Sequence, residues 1–220
     1  KMLKAPKFWY HKGDTIYSNL LFPLALLFRL GTKLRNFFSL EKLSPIPTIC
    51  IGNIVVGGAG KTPVAMKICK MLIRAGYKPH FISKGYAGII KESTLVELWH
   101  SPKSVGDESL LLSEIASTWI GANRIKSSYL AKNNGADCLI MDDGFQNPSI
   151  GKDFSIVVVD GEQEFGNKRV MPSGPLRESI RRGLSRANVV LVIGKIGDEL
   201  KELIPSTIPI FKALFEIKKD

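Results

Sequence analysis

The stretch Thr48-Ile49-Cys50-Ile51-Gly52-Asn53-Ile54-Val55-Val56-Gly57-Gly58-Ala59-Gly60-Lys61-Thr62-Pro63 constrains this chain more than any other. Its first half is an apolar run that reads as a buried strand over 48–54. Three glycines follow within four residues, and glycine reaches φ > 0 without a Cβ clash. Such a loop can turn successive N–H groups into one concavity, and the next helix start adds its positive dipole end. Lys61 would then reach the β- and γ-phosphates of a nucleotide such as ATP, and the Thr62 hydroxyl would hold Mg²⁺. The candidate cradle is Gly57, Gly58, Ala59, Gly60, Lys61, Thr62 and Pro63. The strict spacing G-x-x-x-x-G-K-[ST] would put its first glycine at position 55, where Val55 stands. An ordinary strand-to-helix turn is the plainer alternative.

Downstream, apolar strand-like runs alternate with helical patterns. Strands are expected at 48–54, 80–83, 94–99, 139–141, 155–159, 189–193 and 208–214. Helices are expected at 63–74, 106–117 and 179–186. Pro63 falls in a first helical turn and Gly76 lies just past a helix end, the usual asymmetry of these two residues. Alternation of this kind predicts an α/β fold, a parallel sheet with helices on both faces. A chain of 220 residues is long enough to bury a substantial core.

Residues 1–42 differ from the α/β domain expected over 43–220. Ala5-Pro6-Lys7-Phe8-Trp9-Tyr10 is aromatic and basic, and 15–28 carries no charge. The apolar run is shorter than the roughly 18 residues a spanning helix needs. Basic flanks and an interfacial Trp fit a helix lying in a membrane interface. Packing of the same helix on the domain core is the alternative, and the two are compatible on different faces. Pro23 belongs near the helix start or at a kink.

The net charge of +11 calls for an anionic partner. No zinc-finger spacing or aromatic-interleaved basic stripe appears, so no nucleic-acid partner is expected. Cys50, Cys69 and Cys138 sit singly in apolar runs and read as buried thiols of a cytosolic protein. His11, His80 and His100 are isolated, so Mg²⁺ arriving with nucleotide is the expected metal.

Asp142-Asp143 ends the apolar strand Cys138-Leu139-Ile140-Met141, where a carboxylate facing a phosphate site belongs. Adjacent carboxylates are costly together without a cation. Asp-Asp-Gly is also a common turn sequence. In Gly106-Asp107-Glu108, Asp107 is either a first-turn helix residue or a general base for an attacking hydroxyl. Arg124 and Arg177 lie in loops or at helix starts, and a guanidinium fork matches phosphate oxygens.

The ordered motifs GNIVVGGAGKTP, SKGYAG, GDESLLL, DDGFQN, FGN, MPSGPLRE and SRA, with APKFWY near the start, resemble tetraacyldisaccharide 4′-kinases, the lipid A 4′-kinases of Gram-negative bacteria. The resemblance runs from about residue 5 to 215. It implies a P-loop NTPase-like fold preceded by a membrane-interface helix. It also implies ATP and Mg²⁺, and transfer of the γ-phosphate to the 4′-hydroxyl of a tetraacylated glucosamine disaccharide 1-phosphate. The implied place is the cytoplasmic face of the inner membrane, peripheral on its anionic surface. By motif, Thr62, Asp142, Asp143 and Glu108 correspond to the metal end, and Asp107, Lys61, Arg124 and Arg177 to the catalytic set. The family usually carries His at Asn147, Arg at Lys84, Gly at Ala87 and Thr at Ala59. It also implies a C-terminal lobe, with a histidine partner for Asp107, which a separate chain would have to supply if these residues stood alone. A nucleotide-driven ATPase or switch with a protein partner, and a catalytically impaired relative, are the competing readings.

Overall fold

The computed structural model describes residues 5–11 and 13–216. A 3₁₀ turn at Lys7–Tyr10 precedes α1 (Ile16–Leu20) and α2 (Phe22–Phe38). Then come β1 (Thr48–Gly52), α3 (Lys61–Arg74), β2 (Pro79–Ser83), β3 (Thr94–Leu95), α4 (Pro102–Val105), α5 (Asp107–Ser113), β4 (Thr118–Ile120), α6 (Arg124–Asn133) and β5 (Cys138–Asp142). The last elements are β6 (Phe154–Asp160), α7 (Ile180–Leu184), β7 (Val189–Ile193), α8 (Asp198–Leu203) and β8 (Ile210–Ala213). The chain forms two compact units. A middle unit holds Ser39–Gly52 and Lys61–Ser155; a terminal unit holds Lys1–Phe38, Asn53–Gly60 and Ile156–Asp220.

In the middle unit the strand order is β3-β4-β2-β5-β1. All neighbours pair parallel except β3, which runs antiparallel to β4 at the edge. Successive residues of a strand face opposite sides, and β4 shows both faces covered. Trp119 joins Ile82, Leu139 and Ala131, with Leu130 of α6 packed alongside. Its neighbour Ile120 joins Val105 and Val96, with Leu110 of α5 alongside. The central strand β5 is buried throughout. Cys50, Cys69 and Cys138 are buried free thiols; burial pushes the Cys69 thiol up to about 11 and that of Cys138 up to about 12.

In the terminal unit β6, β7 and β8 are parallel, with Asp160 opposite Ile193 and Ile193 opposite Ala213, so their carboxyl ends share one edge. The N-terminal segment is tied to this unit. Trp9 is buried, and its indole N–H donates to the Pro172 carbonyl at 3.0 Å. The Ser173 hydroxyl donates to the Ser18 carbonyl at 2.6 Å. Pro23 is the second residue of α2, where its missing N–H costs nothing. Ala25 is buried, whereas Leu20, Leu24, Leu27, Leu34 and Phe37 are exposed. Burial of Ala25 agrees with packing of α2 on protein, and the exposed leucines of α2 lie on its other face. No described helix is long and apolar enough to cross a membrane.

Several expected boundaries shift. The first strand stops at Gly52, because the backbone turns where a Cβ on Gly52 would overlap Phe145. The strand expected over 94–99 is only Thr94–Leu95 and antiparallel, so the sheet is not wholly parallel; Leu98 and Trp99 form an exposed turn. The helix expected over 106–117 runs Asp107–Ser113, and that over 179–186 runs Ile180–Leu184. Four elements after the N-terminal segment were not anticipated: α4, β4, α6 and α8.

Candidate functional site

In the middle unit β5 carries Asp142 to the carboxyl end of the sheet, opposite Ile51 of β1. α3 begins at Lys61, immediately after the glycine loop in the chain. Its second residue, Thr62, donates its hydroxyl hydrogen to Asp142 Oδ2 at 2.9 Å. Lys61 Nζ lies 3.7 Å from Asp143 Oδ1. Asp143 itself adopts φ +50, and its N–H donates to the Ile51 carbonyl at 3.0 Å. An aspartate tolerates that left-handed conformation better than most residues. The turn aims successive carboxylates differently, so only Asp142 is buried.

Burial pushes the Asp142 carboxyl up to about 6. The Glu108 and Asp143 carboxylates push the same way, while the Thr62 hydrogen bond and the Lys61 ammonium oppose them. Asp142 Oδ1 is buried with no hydrogen-bond partner. A bare carboxylate oxygen beside a hydroxyl, disfavoured as an anion by two neighbouring carboxylates, fits a hard divalent cation. Mg²⁺ takes one or two protein oxygens and completes its shell with water and phosphate. Among the described residues no three His, Cys, Asp or Glu are grouped to hold a metal, so Asp143 and Glu108 do not join Asp142 in a three-carboxylate cluster.

Arg124 is the first residue of α6, after Asn123, whose Oδ1 accepts from the Lys126 N–H at 3.0 Å. Its guanidinium is buried and donates from Nη1 to the Gly121 carbonyl at 3.2 Å. Burial lowers its pKa, and the Asp143 carboxylate resists that shift. Lys61, Thr62, Asp142, Asp143, Glu108 and Arg124 therefore interact as one charged group. Asp107 opens α5 as an exposed carboxylate in the first turn, after Gly106 at φ +89. Asn147 accepts from the Ser149 N–H and hydroxyl at 2.8 and 2.7 Å, an Asx turn.

In the terminal unit the loop Asn53–Gly60 is braced by the segment after Gly174. The Val56 N–H donates to the Pro175 carbonyl, and the Arg177 N–H donates to the Ile54 carbonyl, both at 2.8 Å. Asn53 Nδ2 donates across the loop to the Gly57 carbonyl at 3.3 Å. Gly57 and Gly60 take φ +122 and +75. Residues Val55–Ala59 line a small cavity with Val158, Val159 and Asp160, so the loop lies at the carboxyl end of β6. The half-buried Arg177 lines a cavity of about 340 Å³ with Arg29, Lys33 and Arg182. Gly174-Pro175-Leu176-Arg177-Glu178 reads in the sequence as a rigid turn presenting an arginine, and Asn53 lies within the glycine-bearing run; that both brace the loop had no sequence signal.

The sequence profile of tetraacyldisaccharide-1-P 4′-kinases (LpxK) matches residues 17–219. The chain belongs to this family. A tetraacyldisaccharide 4′-kinase from Paramagnetospirillum magneticum is 48% identical over 203 residues, covering 91% of this chain and 62% of the relative. One from Rhodospirillum rubrum is 44% identical over 204 residues, covering 92% and 61%. This tetraacyldisaccharide 4′-kinase family chain therefore spans about three fifths of the length of the curated relatives it matches. Among solved structures, LpxK from Aquifex aeolicus, described as an "apo" form in complex with ATP, superposes with a TM-score of 0.75 at 26% identity. That match covers 90% of this chain and 64% of the other. The mixed α/β fold with a mostly parallel sheet is thus the fold of the LpxK family.

Proposed function

We propose that this chain is the nucleotide-handling part of an ATP-dependent kinase. It would transfer the γ-phosphate to the 4′-hydroxyl of a tetraacylated glucosamine disaccharide 1-phosphate, a lipid A precursor. The observation that carries the reading is the Thr62–Asp142 pair with its bare, buried carboxylate oxygen, beside Lys61 and Arg124. The family supplies the substrate.

Phosphoryl transfer depends on positioning and charge stabilisation more than on covalent chemistry. Thr62 and Asp142, with Asp143 and Glu108 close by, would hold Mg²⁺, which when bound neutralises charge on the nucleotide's terminal phosphates. The N–H groups of Gly57, Gly58, Ala59 and Gly60 bind phosphate oxygens, with Pro63 in the first turn of α3 fixing the helix start. Lys61, Arg124 and Arg177 stabilise the oxygens of the transferring group. The sugar oxygen forms a bond to the γ-phosphorus as the bond to the β-γ bridging oxygen breaks. The hydroxyl proton passes to Asp107, whose exposed carboxylate is free to release it to water. ADP leaves.

The acceptor's acyl chains stay in a bilayer, so the protein must work at an anionic membrane surface, which we place at the cytoplasmic face of the inner membrane. The exposed leucines of α2 and the +11 charge support peripheral attachment there, whereas Trp9, expected at the interface, is buried against the protein and contributes nothing to it. The test is transfer of radiolabelled γ-phosphate from ATP to the lipid disaccharide in mixed micelles. Label should appear in lipid, and Lys61→Ala should lower the rate at least ~10²-fold, the scale of losing one electrostatic stabiliser. ATP hydrolysis indifferent to lipid would refute the kinase reading.

A further inference from the structure

Phosphate and metal contacts leave one aromatic of the terminal unit unexplained. Phe215 follows β8 and reaches back to the glycine loop. A Cβ built on Gly60 would stand 2.6 Å from Phe215 Cζ, 2.9 Å from Cε2 and 3.7 Å from Ile193 Cγ1. Gly60, at φ +75, thus has the Phe215 ring directly against its backbone. The contact engages only the ring's edge atoms, and Phe215 is 55% exposed. The register Asp160–Ile193–Ala213 places the ring just beyond the shared carboxyl edge of β6, β7 and β8. Ligands of open α/β sheets bind at that edge.

We propose that Phe215 is the stacking platform for the base of the nucleotide whose phosphates occupy the loop Asn53–Gly60. The inference rests on the phosphate-binding reading of that loop. The ring edge rests against Gly60, which leaves its face for a ligand. Gly60 is glycine first because of its left-handed φ of +75, and the bare backbone there also lets the ring edge come close. Stacking reads the π-face common to all bases and makes no hydrogen-bond readout. The ligand class is therefore a nucleoside triphosphate, with ATP and GTP alike within severalfold and pyrimidine nucleotides weaker because their rings offer less area to stack.

The experiment compares the unsubstituted chain, Phe215→Leu and Phe215→Trp by equilibrium titration with Mg·ATP and with Mg·tripolyphosphate. Leucine keeps apolar packing on Gly60 and removes the aromatic face; tryptophan restores it. The expected result is ATP binding about tenfold weaker in F215L, within severalfold of the parent in F215W, and tripolyphosphate binding unchanged in both. ATP affinity unchanged or raised in F215L would overturn the platform. Equal weakening of both ligands would also overturn it, because the ring would then only prop the loop. Absence of tripolyphosphate binding in the parent would instead remove the phosphate-loop reading, and this inference with it.

Discussion

Asp142 is where burial, charge and chemistry meet most sharply. In the metal-free chain its carboxyl titrates at about 6, against 3.8 for an unperturbed aspartate. Between those values the native state binds more protons than the unfolded chain. Stability should therefore fall as pH rises through that window, by on the order of 3 kcal/mol. Asp142→Asn should flatten that dependence and raise the melting temperature of the metal-free chain at pH 7.5, while abolishing the effect of Mg²⁺ on ATP binding. Thermal melts from pH 4 to 7.5, with and without Mg²⁺, check both halves. A second residue-scale expectation concerns Ala87, at φ +62. A left-handed alanine costs about 1 kcal/mol, so Ala87→Gly should stabilise the chain by roughly that amount in urea unfolding. The family's usual glycine there has this physical reason.

At the scale of elements, α2 carries an exposed apolar stripe, to which the proposed membrane contact assigns a role. Leu24, Leu27 and Leu34 recur at helical spacing and are exposed, while Ala25 on the opposite stripe is buried. Leu27→Glu with Leu34→Glu should lower co-sedimentation with anionic vesicles at least tenfold, since each leucine removed from water is worth roughly 1.5–3 kcal/mol. The melting temperature should hardly change; a large loss of stability with unchanged vesicle binding would mean that the outward stripe packs on protein. The elements legible in the sequence were those with a strong signal: β5 and β6 as continuous apolar runs, α3 between a proline and a glycine. α6 was missed because Arg-Ile-Lys-Ser-Ser-Tyr-Leu-Ala-Lys-Asn has little apolar periodicity, and its buried face is made largely of serines and Ala131. β4 was missed because three residues carry no period, and its burial on both faces comes from α5 and α6. Thr94–Trp99 read as a strand because β-propensity is blind to pairing; Thr94 and Leu95 pair with β4, and the Val96 N–H adds one bond to the Thr118 carbonyl before the chain turns away.

Across the whole molecule, the candidate site was legible as a list of residue types and not as a geometry. Lys61, Thr62, Asp142 and Asp143 stood out because strand ends and glycine turns mark them in the sequence. What the sequence withheld was division of labour. Asp142 is buried against Thr62 while its neighbour turns to Lys61, a difference set by the positive φ of Asp143. Asn53 and Pro175 lie in recognisable motifs, but nothing in the sequence marks them as partners of the glycine loop. The central claim is that these 220 residues contain a working phosphate and Mg²⁺ site. Calorimetric titration of ATP, with and without Mg²⁺, into the unsubstituted chain and Lys61→Ala tests it most directly. Saturable one-to-one binding that requires Mg²⁺ and is lost in the variant is the predicted result; binding that ignores both Mg²⁺ and Lys61 would contradict the account.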